Sequence, residues 1–457
     1  MIEVKEIKKA NNKLAYLIRV TEEGKPITET ECYIHTACIE KGGNSYLIMY
    51  DNQMRSIASA FEFLNYAIGD QSINSRIRSM EALKLLFSFE CISSKTVSDF
   101  SVADVSMLIN FLRGIPFTGQ TIRFELERDR IDKTVNEFLS TYRDYLRSMG
   151  IEEHPLLTRK LTKSMFSYDG GAIPSRTMRY RSSVREPKAI EDVPQYISLW
   201  EFKMIIDYVR SQDDLLAEVI VRLMYENGMR IGEVLGLTAD DIVEEEYTDP
   251  ETGEIKYGNF VYIRNRASDK QGSHAKGLRH VHNARQYSTK VYKTRGVGYH
   301  RIPISRELYD RIGDYIEEAH MKAREKNGDR YYQFVAADRV RPEEQYEDEN
   351  YYVFLNKWGA PLLQKTWNNR LKKVFERCGI HVDRGVKDNN LNHRFRHGFA
   401  MFCVTYRHMG PVELKEALRH KNLNTVMVYY SPTVHDQIEM KTDYVNDLYE
   451  MVPELRG

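Results

Sequence analysis

The sequence predicts an α+β chain of several domains: a small β-rich N-terminal region and a helical domain, then a basic linker and a mainly helical domain with a small β-sheet. Three observations carry this expectation. Apolar and polar residues alternate over residues 1–56, as in KLAYLIRVTEEGKPITETECYIH, the period of half-buried strands. From about Met54 apolar residues recur three and four apart, which gathers them on one face of successive helices. At 457 residues the chain has length for two to four domains, each with its own core.

In chain order, the first region reads as a hairpin or small sheet turning near Glu23-Gly24-Lys25-Pro26. Residues 57–155 follow as a bundle, with amphipathic stretches at SIASAFEFLNYAIG, SRIRSMEALKLLFSFEC, VADVSMLINFLRG and RIDKTVNEFLSTYRDYLRSMG. Over residues 156–196 the periodicity fails and Pro, Gly and Ser accumulate, so this segment reads as a linker. It carries Arg159, Lys160, Lys163, Arg176, Arg179, Arg181 and Arg185 among few acids, a density suited to nucleic-acid phosphates. A solvated linker without contacts is the other reading.

Residues 197–457 make the last domain. Ser198 caps ISLWEFKMIIDYVR, and the apolar stretch 215–226 reads as a buried helix ended by Gly228. Arg230 then opens the next helix with Glu233 one turn on; an arginine carried between buried apolar helices needs a partner. FVYIR and HRIPIS read as strands, RPEEQYEDENYY as an exposed acidic insert, and Ile438, Val445, Leu448 and Val452 as one stripe of a terminal helix.

Composition excludes some classes. Lys plus Arg number 66 against 66 Asp plus Glu, so any nucleic-acid surface must come from uneven placement of charge. The five scattered cysteines suit reduced thiols in the cytoplasm. No run approaches membrane-spanning length, so no membrane partner is expected.

The stretch Leu391–Tyr430 concentrates chemistry-bearing side chains. His393, Arg396 and His397 are spaced i, i+3, i+4 and share a helix face, while Arg394 points elsewhere. Gly410-Pro411 reads as the next helix start, leading to His420, and Tyr429 follows. A guanidinium with several donors suits the non-bridging oxygens of a phosphodiester, histidines donate or move protons, and a tyrosine hydroxyl can attack phosphorus. A metal is not expected, because Arg394 and Arg396 would repel a divalent cation and no Glu follows His393.

HRFRH resembles the His-x-x-Arg-His box of the tyrosine recombinase (phage integrase) family. LRHKNLNTVMVYY resembles its next box, in which a Leu-Gly-His precedes the nucleophilic tyrosine by nine residues, a count that selects Tyr429 over Tyr430. Arg419 stands where the family has glycine. GMRIGEVLGL resembles the Gly-x-Arg-x-x-Glu-x-x-x-Leu box, which makes Arg230 the first catalytic arginine and Glu233 its orienting carboxylate. VYKTRGVGYHRIPIS resembles the run that carries a general-acid lysine, which points to Lys293, then Lys290, with Lys270 and Lys276 behind.

The resemblance implies a site-specific recombinase, an integrase that cuts and rejoins DNA through a 3′-phosphotyrosine and so integrates or excises a mobile element. Arg230, Arg396, His393 and His420 would serve the phosphate, without cofactor or metal; His397 is expected to be structural. The bundle would be a core-binding (SAM-like) domain, and residues 1–56 either an arm-binding domain or a sheet packed on the bundle. Implied partners are double-stranded recombination sites, further copies of the chain as a tetramer on DNA, and an accessory DNA-bending protein. A type IB topoisomerase and a non-catalytic DNA-binding regulator on the same fold are the alternatives.

Overall fold

The computed structural model describes the chain except residues 1, 10–12, 23–24, 42–43, 116–121, 169–170, 187–192, 268–272, 282–283, 333–351, 383–389, 432–433 and 452–457. It divides into two compact units, Met1–Ala189 and Ile190–Gly457. Most of the acidic insert that the sequence suggests is exposed, and Val452 of the terminal stripe, lie outside the described residues.

In the first unit the alternating segment forms β1 (Ile2–Lys9), β2 (Lys13–Glu22), β3 (Lys25–Cys32), β4 (His35–Lys41) and β5 (Asn44–Tyr50). Strands β1 to β3 run antiparallel in sequence, and β4 pairs with β5. Helices α1 (Ala58–Glu62), α2 (Ile73–Ser93), α3 (Val102–Arg113) and α4 (Asp132–Ser148) follow. A short strand inside the helical region, β6 (Ile122–Glu125), joins the first sheet parallel to β1.

Strands and helices therefore share one core rather than forming separate bodies. Tyr16 of β2 packs on Phe111 of α3 with ring centroids 5.1 Å apart, and Val4, Ile18 and Leu47 are buried with Leu83, Phe89 and Leu139. The apolar face of a small sheet has to be covered, and the nearest apolar helices cover it. Arg76 of α2 is buried and donates to the carbonyls of Leu64 (2.8 Å) and Ser45 (3.0 Å).

The expected linker is not irregular. Within it β7 (Arg159–Tyr168) and β8 (Gly171–Tyr180) pair antiparallel over their full length. Leu161, Thr162, Met165, Phe166 and Tyr168 are residue types that favour extended backbone. Gly171 and Pro174 lie within β8 itself, paired with Tyr168 and Met165, so these residue types do not interrupt the ribbon.

The second unit begins with α5 (Leu199–Ser211), where the Ser198 hydroxyl accepts from the Glu201 N–H at 3.2 Å. Next come α6 (Leu215–Glu226), buried along most of its length, and α7 (Ile231–Leu235). A three-stranded antiparallel sheet follows, from β9 (Ile242–Thr248), β10 (Ile255–Arg264) and β11 (Tyr299–Ile304), with β10 central. Helices α8 (Arg306–Tyr332), α9 (Gln364–Arg377), α10 (Asn390–Arg407), α11 (Pro411–Ala417) and α12 (Val434–Met451) complete it. Its core joins α6, α9 and α10 through Ile220, Leu223, Trp367, Phe375 and Phe395.

Candidate active site

The site grows from the turn after α6. Gly228 takes a φ of +57°, and a Cβ there would lie 2.6 Å from Cδ1 of Phe399, so only glycine fits without displacement. The turn delivers Arg230 to the N-terminus of α7. There Glu233 accepts from the Arg230 backbone N–H at 2.8 Å on Oε2 and pairs with its guanidinium at 2.8 Å through Oε1.

Helix α10 supplies the second arginine. Arg396 is buried, and its guanidinium donates to the carbonyls of Gly228 and Leu418. Arg394 turns the other way, toward the His381 carbonyl at 2.9 Å. His393 and His397 stand one turn apart with ring centroids 6.1 Å apart.

Helix α11 starts with Pro411 at its first turn and ends in a Schellman cap. His420 N–H donates to the Lys415 carbonyl and Arg419 N–H to the Glu416 carbonyl, both at 2.9 Å. The left-handed position of this cap is held by Arg419 at a φ of +55°, where a non-glycine residue costs about 1–2 kcal/mol. Its guanidinium reaches the carbonyls of Asn227 (3.2 Å), Ala417 (3.1 Å) and Gly228 (3.0 Å) and Glu233 Oε2 (3.3 Å). His420 Nδ1 lies 2.8 Å from the Thr425 hydroxyl.

Tyr429 sits in a 3₁₀ turn, Met427–Tyr430, rather than inside an α-helix. It is buried, and its hydroxyl is 2.7 Å from His397 Nδ1. The Tyr430 hydroxyl instead donates to the Met409 carbonyl at 2.7 Å. His397 thus holds the phenol, a role that its adjacency to Arg396 did not reveal. A second His one helical turn from the first was the available signal.

Charge in the cluster is strongly biased. Burial alone would raise the Glu233 carboxyl, yet Arg419, Arg230 and Arg396 hold it down at about 2. Burial, then Arg230, lowers Arg396 from the usual arginine range. Burial lowers His397 and His420 to about 4, aided by His393 and Arg396 at the first and by Arg396 and Arg230 at the second, so both are neutral at pH 7. Desolvation, then Arg396, Arg230 and Lys276, lowers His393. Burial raises Tyr429, opposed by Arg396 and Arg230.

A cavity of about 870 Å³ opens beside these groups, lined by Arg230, Lys276, His300, Arg419 and His420 among others. Tyr429, Arg396 and His393 are not among its lining residues. Neither is Lys293, which lies exposed in the turns before β11; Lys290 is exposed there too. The cavity lysine is Lys276, while Lys270 lies outside the described residues. The long insertion between β10 and β11 displaced the expectation, because sequence distance to the Ile-Pro strand is a poor guide across it. Such a site can seat an oxyanion between guanidinium groups, with neutral imidazoles and a lysine at its edge and a phenol behind it.

The basic residues of the β7–β8 ribbon and of the stretch just after it belong to the first unit. Arg159, Lys160, Arg179, Arg181 and Arg185 are exposed. Arg159 donates to the Tyr180 hydroxyl at 2.9 Å and stacks over its ring. The side chains of Lys163 and Arg176 lie outside the described residues.

Residues 276–435, which hold Lys276, the His-x-x-Arg-His box and Tyr429, match the phage integrase family. Arg230 and Glu233 precede the matched span. Transposase A from transposon Tn554 of Staphylococcus aureus is 28% identical over 203 residues, 43% of this chain and 54% of that protein. The chain thus spans about half the length of the curated relatives it matches.

Among solved structures, a Tn1549 transposon integrase in complex with transposon right end DNA is 13% identical, with a TM-score of 0.45 over 85% of this chain and 99% of that one. The XerH site-specific recombinase bound to palindromic difH substrate is 12% identical, with a TM-score of 0.49 over 86% of each chain.

Proposed function

We propose that the chain is a tyrosine site-specific recombinase of a mobile element, cutting and rejoining DNA through a 3′-phosphotyrosyl intermediate. The observation that carries this reading is the arginine cluster around buried Glu233, of which Arg230 and Arg419 line a cavity, together with Tyr429 held on His397. The family match and the transposase relative support it.

In the reaction, Arg230 and Arg396 take the non-bridging oxygens of the scissile phosphate, and His393 and His420, neutral, donate to it. The Tyr429 oxygen attacks phosphorus as its proton passes to His397 Nδ1. The phosphorus–O5′ bond breaks, and Lys276, in place of Lys293, protonates the leaving oxygen. Because Tyr429 is outside the cavity lining, DNA entry has to swing its 3₁₀ turn toward the phosphate. The ester conserves the bond energy for rejoining. The partner is a double-stranded recombination site, met by the arginines and lysines of the β7–β8 ribbon as well as by the second unit, with a tetramer of the chain assembled on it and an accessory bending protein in support.

The test uses DNA from the ends of the gene's own locus, nicked so that the cut strand cannot be rejoined, with EDTA present. A protein–DNA band on a denaturing gel, whose modified peptide maps to Tyr429, is the expected result. Tight binding without any band would turn the reading toward a regulator. Rapid relaxation of arbitrary supercoiled plasmid would turn it toward a topoisomerase.

A further inference from the structure

Arg419 occupies a position that a cap of this kind ordinarily gives to glycine. As a cap it is a poor choice, since glycine would close α11 with less strain. What glycine would not supply is the guanidinium. It spans from its own helix, at the Ala417 carbonyl, to the turn that carries Arg230, at Asn227, Gly228 and Glu233. It engages Oε2 of Glu233 while the Arg230 guanidinium holds Oε1. His420 is the next residue along the chain, and both His420 and Arg419 line the cavity.

We propose that Arg419 is a positioning residue of the cleavage site, tying the Arg230 turn to the His420 loop and sharing Glu233 so that Arg230 keeps charge for the phosphate. This rests on the recombinase reading. Its left-handed backbone turns the side chain inward onto Glu233 and leaves His420 at the cavity. Arg419 also adds a third guanidinium to the cluster, and it is among the groups that keep Glu233 ionised and His420 neutral.

The experiment compares wild type, Arg419→Gly and Arg419→Lys in single-turnover cleavage of nicked site DNA at saturating protein, alongside DNA affinity and thermal melting. Lysine preserves the charge if the glycine variant fails to fold. The expected result is a cleavage rate reduced at least about tenfold in both variants, with affinity within about threefold of wild type. The defect should shrink on a substrate with a methylphosphonate at the scissile link, which lacks the charge that Arg230 meets, and a merely structural role would leave it unchanged. A variant that melts as cooperatively as wild type and cleaves as fast overturns the proposal. No covalent product from wild type would count against the recombinase reading alone. The role of Arg419 is then decided by calorimetric binding of inorganic phosphate: at least about fivefold tighter in wild type than in Arg419→Lys sustains it, and equal affinity overturns it.

Discussion

Two buried glutamates in the second unit are each surrounded by arginines, and they do opposite things. Glu218 on α6 meets Arg210 (2.8 Å), Arg311 (3.0 Å) and Arg222 (3.8 Å). Two of these arginines hold further acids, Arg222 with Glu226 and Arg311 with Asp314, so three cations face three anions. Glu233 meets Arg230 and Arg419 and feels Arg396, while among the described residues no second carboxylate is paired with them. The first cluster closes on itself and staples α5, α6 and α8. The second is left with two surplus positive charges beside a cavity, an arrangement that costs stability unless an anion fills it.

The difference can be broken by mutation. Arg230→Ala should reduce single-turnover cleavage about a thousandfold, as loss of a donor to a developing anion does. Arg210→Ala should leave cleavage per folded molecule intact and lower the urea midpoint, since two arginines still face Glu218. Similar effects of both on cleavage would dissolve the distinction.

His397→Ala removes the partner of the Tyr429 hydroxyl and should slow cleavage about a hundredfold, in the range of lost general-base catalysis. A faster enzyme would make that contact a restraint on Tyr429 instead.

Acid should separate the regions as well. His397 and His420 have folded-state values of about 4 against an ordinary 6.5, so the unfolded chain takes up these protons first. Their contribution is whole above pH 6.5 and is lost as pH falls from 6.5 toward 4. Glu218 is also lowered, by Arg210 and Arg311 against its burial, and it weakens only below the usual carboxylate range. Amide exchange should therefore show α10 and α11 loosening near pH 5 while α6 holds, and His420→Ala should flatten the trend. Uniform loosening would contradict this assignment.

The smallest effect sharpens the geometry. Gly228→Ala meets the Phe399 ring and a φ of +57°, at a cost of about 1–3 kcal/mol. Gly253→Ala, with a φ of +72° and nothing within 4 Å, should cost only the backbone strain.

The parts of this site that follow a local rule were legible in sequence. Helical spacing put His393, Arg396 and His397 on one face, and Gly228 before Arg230 and Glu233 marked a turn into a short helix. Pairings between distant segments were not legible. Nothing local announces that Ile122–Glu125 joins β1, that Arg419 crosses to Glu233, or that Lys276 lines the cavity where Lys293 does not. Each is decided by which surfaces meet in three dimensions. The segment 156–196 misled for another reason: its glycines and prolines outweighed the alternation between them.

The most direct test of the charge surplus sets Arg396→Lys beside Arg311→Lys on the same nicked DNA. Lysine keeps the charge but not the fork of donors that spans the Gly228 and Leu418 carbonyls and that the proposed reaction turns on a phosphate. The account predicts a loss of about a hundredfold or more in the single-turnover rate for Arg396→Lys and an unchanged rate for Arg311→Lys. Wild-type cleavage by Arg396→Lys would contradict it.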